Sequence, residues 1–475
     1  MSDPFVVIGG DAAGLSAASK LKREAPKREA IVFEKGDWVS YSHCGMPYYI
    51  KGEVERLEEL LSLSPADIED RGIDLRRRHE VVEIDPDTQT VTVDGPGETF
   101  EQAYGELLIG TGARALTAPI DGTDLDGVFT LHHMDAAAAV RAYLTEPAAI
   151  DPDDVDGPYV DRELVRTYAD REPPDTAAIV GGGYVGIEMA EALAGRGLDV
   201  EVFQRSEHVL PPFGSAVAEA VEDHLGEQGV TVHTETAVER LVGETTDTVD
   251  AVEYEGGRTS IDLAIVGIGI RPNTDFLAGT GIERGDSGAV RIDEFGRTNR
   301  ENIYAAGDCA EMTHTVTGEP AWVPLGLTAN RAGRAIGSTI AGTPEPVGEI
   351  AGTAVVKAFE LEAGRTGLVP ENRASEAGFD PVSATVTARS RSGYYPGAAP
   401  TTVTLVADRS TERLLGGSIV GKDRAAIRID ILSMAVQSGL TVGELERRDL
   451  AYAPPFSPVW DPVLVGAKVL NGTLD

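Results

Sequence analysis

Two stretches of this 475-residue chain repeat one pattern, and that repeat constrains the fold more than any other feature. The first is FVVIGGDAAGLSAASKL at residues 5–21, closing with AIVFEK at 30–35. The second is AAIVGGGYVGIEMAEAL at 177–193, closing with VEVFQR at 200–205. Each reads as a buried apolar strand, a glycine-rich turn, a helix with small residues on one face, and a second strand. That is a βαβ unit able to receive a nucleotide at its turn, here expected twice.

The two turns differ in chemistry. In the first, Gly9, Gly10 and Gly14 follow a strand and open a helix, but Asp11 stands where the fingerprint has its second glycine. Glu34 ends the next strand, where a carboxylate accepts ribose hydroxyls. In the second, Gly181, Gly183 and Gly186 match the spacing fully. The closing strand there ends in Gln204, Arg205 and Ser206, with no carboxylate to repel a 2′-phosphate and an Arg able to bind one. NADPH is therefore expected over NADH. Two further stretches, LLIGTGARAL at 107–116, with Gly112 in a close-approach turn, and NIYAAGDCAE at 302–311, read as strands running into tight turns.

Past residue 340 the texture changes. TAVVKAF, SATVTARS, TVTLVAD and LGGSIVG read as strands without crossovers, and RIDILSMAVQSG as a helix, which predicts an antiparallel sheet with helices. The expected class is α/β, with two Rossmann-like dinucleotide-binding domains, the second inserted in the first, and a C-terminal α+β domain. The expected spans are 1–149 with 258–338, then 150–257, then 339–475. The acidic stretch 150–175 reads as an exposed insertion.

Composition narrows the function. A net charge of −37 argues against nucleic-acid binding. Only eight lysines occur, and an acidic, lysine-poor surface is expected of a salt-adapted, halophilic source. No run of about 18 apolar residues predicts a membrane span. The N-terminus has no basic leader, so a cytoplasmic protein is expected. Cys44 and Cys309 are the only cysteines, and the histidines lack zinc-ligand spacing, so no metal and no disulfide scaffold are expected.

Taken in order, these motifs resemble the pyridine nucleotide–disulfide oxidoreductases over nearly the full chain. The resemblance implies FAD on Gly9, Gly14 and Glu34, with Asp308 on the flavin ribitol. It implies the nicotinamide nucleotide on Gly181, Gly183 and Gly186, and a homodimer made by the last domain. SYSHCGMPYYIKG at 40–52 holds one cysteine where other branches hold two. That resembles the single-cysteine branch of coenzyme A disulfide reductases, persulfide reductases and NADH oxidases. DLAYAPPFSPVWDPVL at 449–464 and SGYYPGA at 392–398 are similar to the coenzyme A disulfide reductase pattern. The resemblance implies that Tyr452 and Tyr394 (Tyr395 is adjacent) approach the cysteine from the partner chain. Two positions depart from the pattern: His43 replaces the usual Asn, and Ala12 stands where water-forming oxidases carry His.

The chemistry expected is reduction of a small disulfide or persulfide through the Cys44 thiolate. Cys44 is expected at a helix start, which favours the thiolate by about 0.3–1 kcal/mol. Tyr452 and Tyr394 are expected as proton donors to the leaving thiolate, and Cys309 as a structural residue. Two alternatives stand beside this reading. One is an NADH oxidase reducing oxygen through a Cys44 sulfenic acid. The other is an NAD(P)H-binding flavoprotein that serves as an electron-transfer or sensor subunit.

Overall fold

Apolar runs with no polar face make strands covered on both sides. The computed structural model describes residues 3–146, 159–243 and 247–474, and such runs lie at the centre of two parallel sheets. In the first sheet the order is Ile303–Ala305, Glu106–Ile109, Phe5–Ile8, Ala30–Glu34 and Asp74–Arg77, all parallel. Every residue of Phe5–Ile8 is buried. Helix Ala12–Glu24 connects Phe5–Ile8 to Ala30–Glu34 and packs on helix Gly326–Ile340. Small residues bring the two backbones together. A Cβ at Gly333 would lie 2.2 Å from the Ala13 carbonyl oxygen, and one at Gly337 2.4 Å from that of Ala17.

The second sheet runs Thr231–His233, Asp199–Phe203, Thr176–Val180, Leu263–Val266 and Val128–Phe129, again parallel throughout. Two of its strands bear on the expected 150–257 span. Strands Val128–Phe129 and Leu263–Val266 both lie outside that span. Thr176–Val180 is flanked by Asp199–Phe203 on one side and by Leu263–Val266 on the other, and Val128–Phe129 extends the sheet beyond Leu263–Val266. Part of the expected 150–175 insertion, residues 150–158, lies outside the described residues. Its remainder holds helix Arg162–Ala169, capped by the Asp161 carboxylate accepting from the Glu163 and Leu164 amides.

Each parallel sheet carries a three-stranded antiparallel sheet, Glu80–Asp85 to Ala103 in one case and Val238–Val242 to Ser260 in the other. The C-terminal sheet is antiparallel, in the order Ala354–Ala358, Leu361–Gly367, Leu414–Gly421, Pro400–Asp408 and Pro381–Arg389. Helices Ala425–Gln437 and Pro462–Leu474 cover it.

One buried carboxylate sits where three parts of the chain meet. Glu191, on helix Tyr184–Gly195, is 2% exposed. It accepts from Lys51 Nζ at 2.6 Å, from Lys357 Nζ, and from the Phe359 amide at 2.8 Å. Lys51 belongs to the segment after Cys44 and Lys357 to the C-terminal sheet. Two of the eight lysines are thus used at one junction.

Candidate functional site

Parallel strands deliver their following loops to one edge of a sheet. Here both glycine turns open on a single cavity of about 2350 Å³. It is lined by Gly9, Glu34, Cys44, Gly112, Asp308, Gly181, Gly183 and Arg205. Gly14 and Gly186 lie just inside the helices below the turns.

The glycines fall into two kinds. Gly9 has φ +108° and Gly181 φ +106°, a region that favours glycine. Gly14 and Gly186 are close-approach positions, where a Cβ would meet the Gly9 or Gly181 carbonyl oxygen at 2.0 Å and 1.9 Å. At Gly183 and Gly112 a Cβ would meet nothing within 4 Å, so the bare backbone there faces open cavity. That space, beside the first N–H groups of a helix, suits a diphosphate.

The two closing strands do the same job with different charge. Glu34 Oε2 accepts the Gly10 amide at 2.8 Å and Oε1 accepts the Gly36 amide at 2.8 Å. Burial pushes its carboxyl above the usual range, opposed by those two hydrogen bonds. In the second unit Gln204 Oε1 accepts the Gly182 amide at 2.9 Å. A neutral amide therefore holds the second turn where a carboxylate holds the first. Arg205 is exposed at the rim and makes no ion pair with the described residues.

Cys44 lies in a short 3₁₀ turn, His43–Gly45, ahead of helix Met46–Lys51. Its side chain is exposed to the cavity. The expectation of a depressed thiol is not met by these surroundings. The protein volume around it pushes the thiol up, and the Glu188 carboxylate adds to the effect. Glu188 accepts from the Tyr48 hydroxyl at 3.0 Å, and burial pushes its own carboxyl up to about 6. Asp308 is likewise raised by burial, with His43 acting in the opposite sense.

Tyr452 and Tyr394 are not brought to Cys44 within the chain. They are 62% and 81% exposed and do not line the cavity. The segments that carry them are nonetheless tied to one buried cation. Arg428 donates to the Ser390 carbonyl at 2.7 Å, to the Phe456 carbonyl at 3.2 Å, and pairs with Asp461 at 2.9 Å. Phe456, Val459 and Trp460 are also exposed, so an apolar band runs beside Tyr452. Cys309 is fully buried, its Sγ donating to the Ile109 and Ala306 carbonyls at 3.3 Å.

Sequence reasoning did not find a polar cluster on the cavity wall. His43 Nε2 lies 2.8 Å from Asp11 Oδ2, and its ring stacks on Tyr41 at 4.3 Å. The ring of His132 is 5.7 Å away, and that of His133 5.1 Å beyond. His132 Nε2 lies 2.7 Å from the Ala113 carbonyl, which can only accept, so that nitrogen carries the proton. Burial and the neighbouring His133 and His43 bring His132 down to about 4, so it is neutral near neutral pH. The available signal was topological: loops after adjacent parallel strands share an edge, which brings position 11 to position 43. Among the described residues no group of three or more His, Cys, Asp or Glu side chains is arranged to hold a metal ion. No helix among them is long and apolar enough to cross a membrane.

Comparison with known proteins agrees with this geometry. A family model described as pyridine nucleotide-disulphide oxidoreductase matches residues 3–327. The dimerisation domain of the same family matches residues 353–462. The chain is 37% identical to the NAD(P)H coenzyme A polysulfide/persulfide reductase of Pyrococcus horikoshii, over 99% of both chains. It is 31% identical to the coenzyme A disulfide reductase of Staphylococcus haemolyticus, over 98% of each. Among solved structures, an NAD-dependent persulfide reductase from A. fulgidus superposes with a TM-score of 0.90 at 35% identity, covering 99% of this chain and 83% of that one. An engineered water-forming NADPH oxidase bound to NADPH superposes at 0.88 with 25% identity, over 99% of each chain.

Proposed function

Because the chain belongs to the pyridine nucleotide-disulphide oxidoreductase family, we propose that it uses NADPH and FAD to reduce a small disulfide or persulfide of the coenzyme A type at Cys44. The observation that carries this reading is the single cavity. One glycine turn, the other glycine turn and an exposed lone cysteine all open into it.

Gly9, Gly14 and Glu34 would hold the flavin dinucleotide, with Gly112 and Asp308 on its far side. Gly181, Gly183, Gly186 and Arg205 would hold the nicotinamide nucleotide. A bound flavin supplies two-electron passage between nicotinamide and sulfur. The chain's own part is at Cys44. Its thiolate attacks one sulfur of the substrate, breaking the S–S bond and releasing one thiolate, with the other half left as a mixed disulfide. Two electrons then cleave that bond and return the Cys44 thiolate. One disulfide, one reduced nucleotide and one proton give two thiols. A persulfide follows the same balance, giving a thiol and hydrogen sulfide.

The preference for NADPH is supported by Gln204 and by the exposed Arg205, which has no ion-pair partner among the described residues. It is supported too by the engineered NADPH oxidase, which carries Ala in place of Asp followed by introduced Arg and Ser. Arg205 and Ser206 stand in that order here. A homodimer, with Tyr452 and Tyr394 facing the cysteine of the other copy as proton donors, is supported by the dimerisation-domain match and by the exposed band at 452–460.

The test is anaerobic. Purified protein is titrated with NADPH or NADH and then with coenzyme A disulfide or persulfide, while the flavin spectrum is followed. Reduction by the nucleotide and reoxidation by the sulfur compound are expected. Cys44→Ser is expected to keep the first step and lose the second. Reoxidation by oxygen alone would overturn the reading.

A further inference from the structure

A carboxylate at a diphosphate-binding turn needs a physical account. Asp11 occupies the N-cap position of helix Ala12–Glu24, in extended conformation at φ −123°. An Asp at that position ordinarily turns inward and accepts the N–H of the second or third helical residue. Here its side chain accepts no such bond. It is turned instead toward His43 Nε2, 2.8 Å away. The helix's first N–H groups are therefore left without a side-chain partner, beside an open cavity.

His43 is well placed to hold that arrangement. Its ring is fixed from one face by Tyr41 at 4.3 Å and flanked by His132 at 5.7 Å. The loop that carries it is pinned to the same glycine turn by the Ser40 amide donating to the Gly10 carbonyl at 3.0 Å. Among the described residues only His43 holds the Asp11 carboxylate by a hydrogen bond, so without it Asp11 is free to take its ordinary capping position. There it would place negative charge and an acceptor oxygen where the diphosphate has to bind.

We propose that His43 is a positioning residue that holds the Asp11 carboxylate off the N-terminus of helix Ala12–Glu24, keeping that terminus open for a dinucleotide's diphosphate. The inference rests on the reading above that the first turn receives FAD. It makes Asp11, which departs from the glycine fingerprint, and His43, which departs from the family's pattern, one compensated pair. The same bond fastens the loop carrying Cys44 to the cofactor turn.

The experiment is a double-variant cycle on the purified holoenzyme, with FAD affinity measured by fluorescence after flavin removal and readdition. His43→Leu is expected to weaken FAD binding at least tenfold. Asp11→Gly, which restores the ordinary turn, is expected to bind FAD within about threefold of the parent. Asp11→Gly/His43→Leu is expected to bind like Asp11→Gly. A general packing defect at position 43 would not be rescued in this way. Thermal unfolding of the FAD-free proteins identifies a variant that fails to fold, and His43→Ala and His43→Gln then complete the same cycle. Unchanged FAD affinity on loss of His43, or a loss that Asp11→Gly does not rescue, overturns the inference. A parent protein that takes up no FAD overturns the functional reading instead.

Discussion

The Tyr48 hydroxyl donates to the Glu188 carboxylate across 3.0 Å, joining the helix that follows Cys44 to the helix that follows the second glycine turn. The bond places an ionisable group of helix Tyr184–Gly195 beside Cys44. Because burial lifts Glu188 to about 6, it is mostly ionised at pH 7 and opposes formation of the Cys44 thiolate.

Glu188→Gln is therefore expected to ease ionisation of Cys44. Alkylation of the thiol by iodoacetamide is expected to be roughly threefold faster at pH 7, with its pH profile displaced to lower pH. A profile that does not move would separate Glu188 from the cysteine's electrostatics.

Arg205→Ala is expected to raise the KM for NADPH by about tenfold or more, the scale of a charge-assisted contact of about 1.5–3 kcal/mol. The KM for NADH is expected to change by less than about twofold. Steady-state kinetics with both nucleotides measure the contrast, and equal effects would detach Arg205 from the 2′-phosphate. Gln204→Glu is expected to move preference the same way, since the new carboxylate faces that phosphate.

Removing Glu191 takes the shared carboxylate from Lys51, which keeps Glu53, and from Lys357, which keeps the Phe359 carbonyl, and leaves the Phe359 amide without its acceptor. Lys51 and Lys357 keep side-chain exposures of 22% and 37%, so solvent screens part of the loss. Glu191→Ala is expected to cost about 3 kcal/mol in denaturant unfolding, at the low end for a broken buried pair.

Stability is expected to fall on acidification. Burial brings both His132 and His314 down to about 4, with neighbouring histidines aiding the first and Arg365, Arg373 and Arg413 the second. Between the ordinary value of 6.5 and about 4, the unfolded chain binds protons that the folded chain does not. Folding free energy is thus lost as pH drops through that window and is retained above it. Unfolding midpoints from pH 8 to pH 4.5 read this directly, and replacing His314 by Gln is expected to flatten the slope.

Much of the site could be read from residue order alone. Gly9, Gly14, Gly181 and Gly186 answer to backbone demands that few other residues meet, so their spacing carries the turn with it. Glu34 and Gln204 were visible as strand ends. Strand Leu361–Gly367 escaped notice because its Gly, Arg and Thr residues carry little apolar signal, although Ala363 to Gly367 are buried. The short strand Val128–Phe129 escaped for a different reason. Two residues make no pattern, and only pairing with Leu263–Val266 defines them. The raised thiol of Cys44 was out of reach because its strongest charged neighbour, Glu188, arrives from another sheet's helix.

Tyr48 and Lys51 stand one helical turn apart, and so do the Glu188 and Glu191 that they grip. The two helices therefore mesh like adjacent teeth, and a slip of one residue in either would disengage both. The distance from the second glycine turn to the Cys44 segment is thus set by the meshing of two helices.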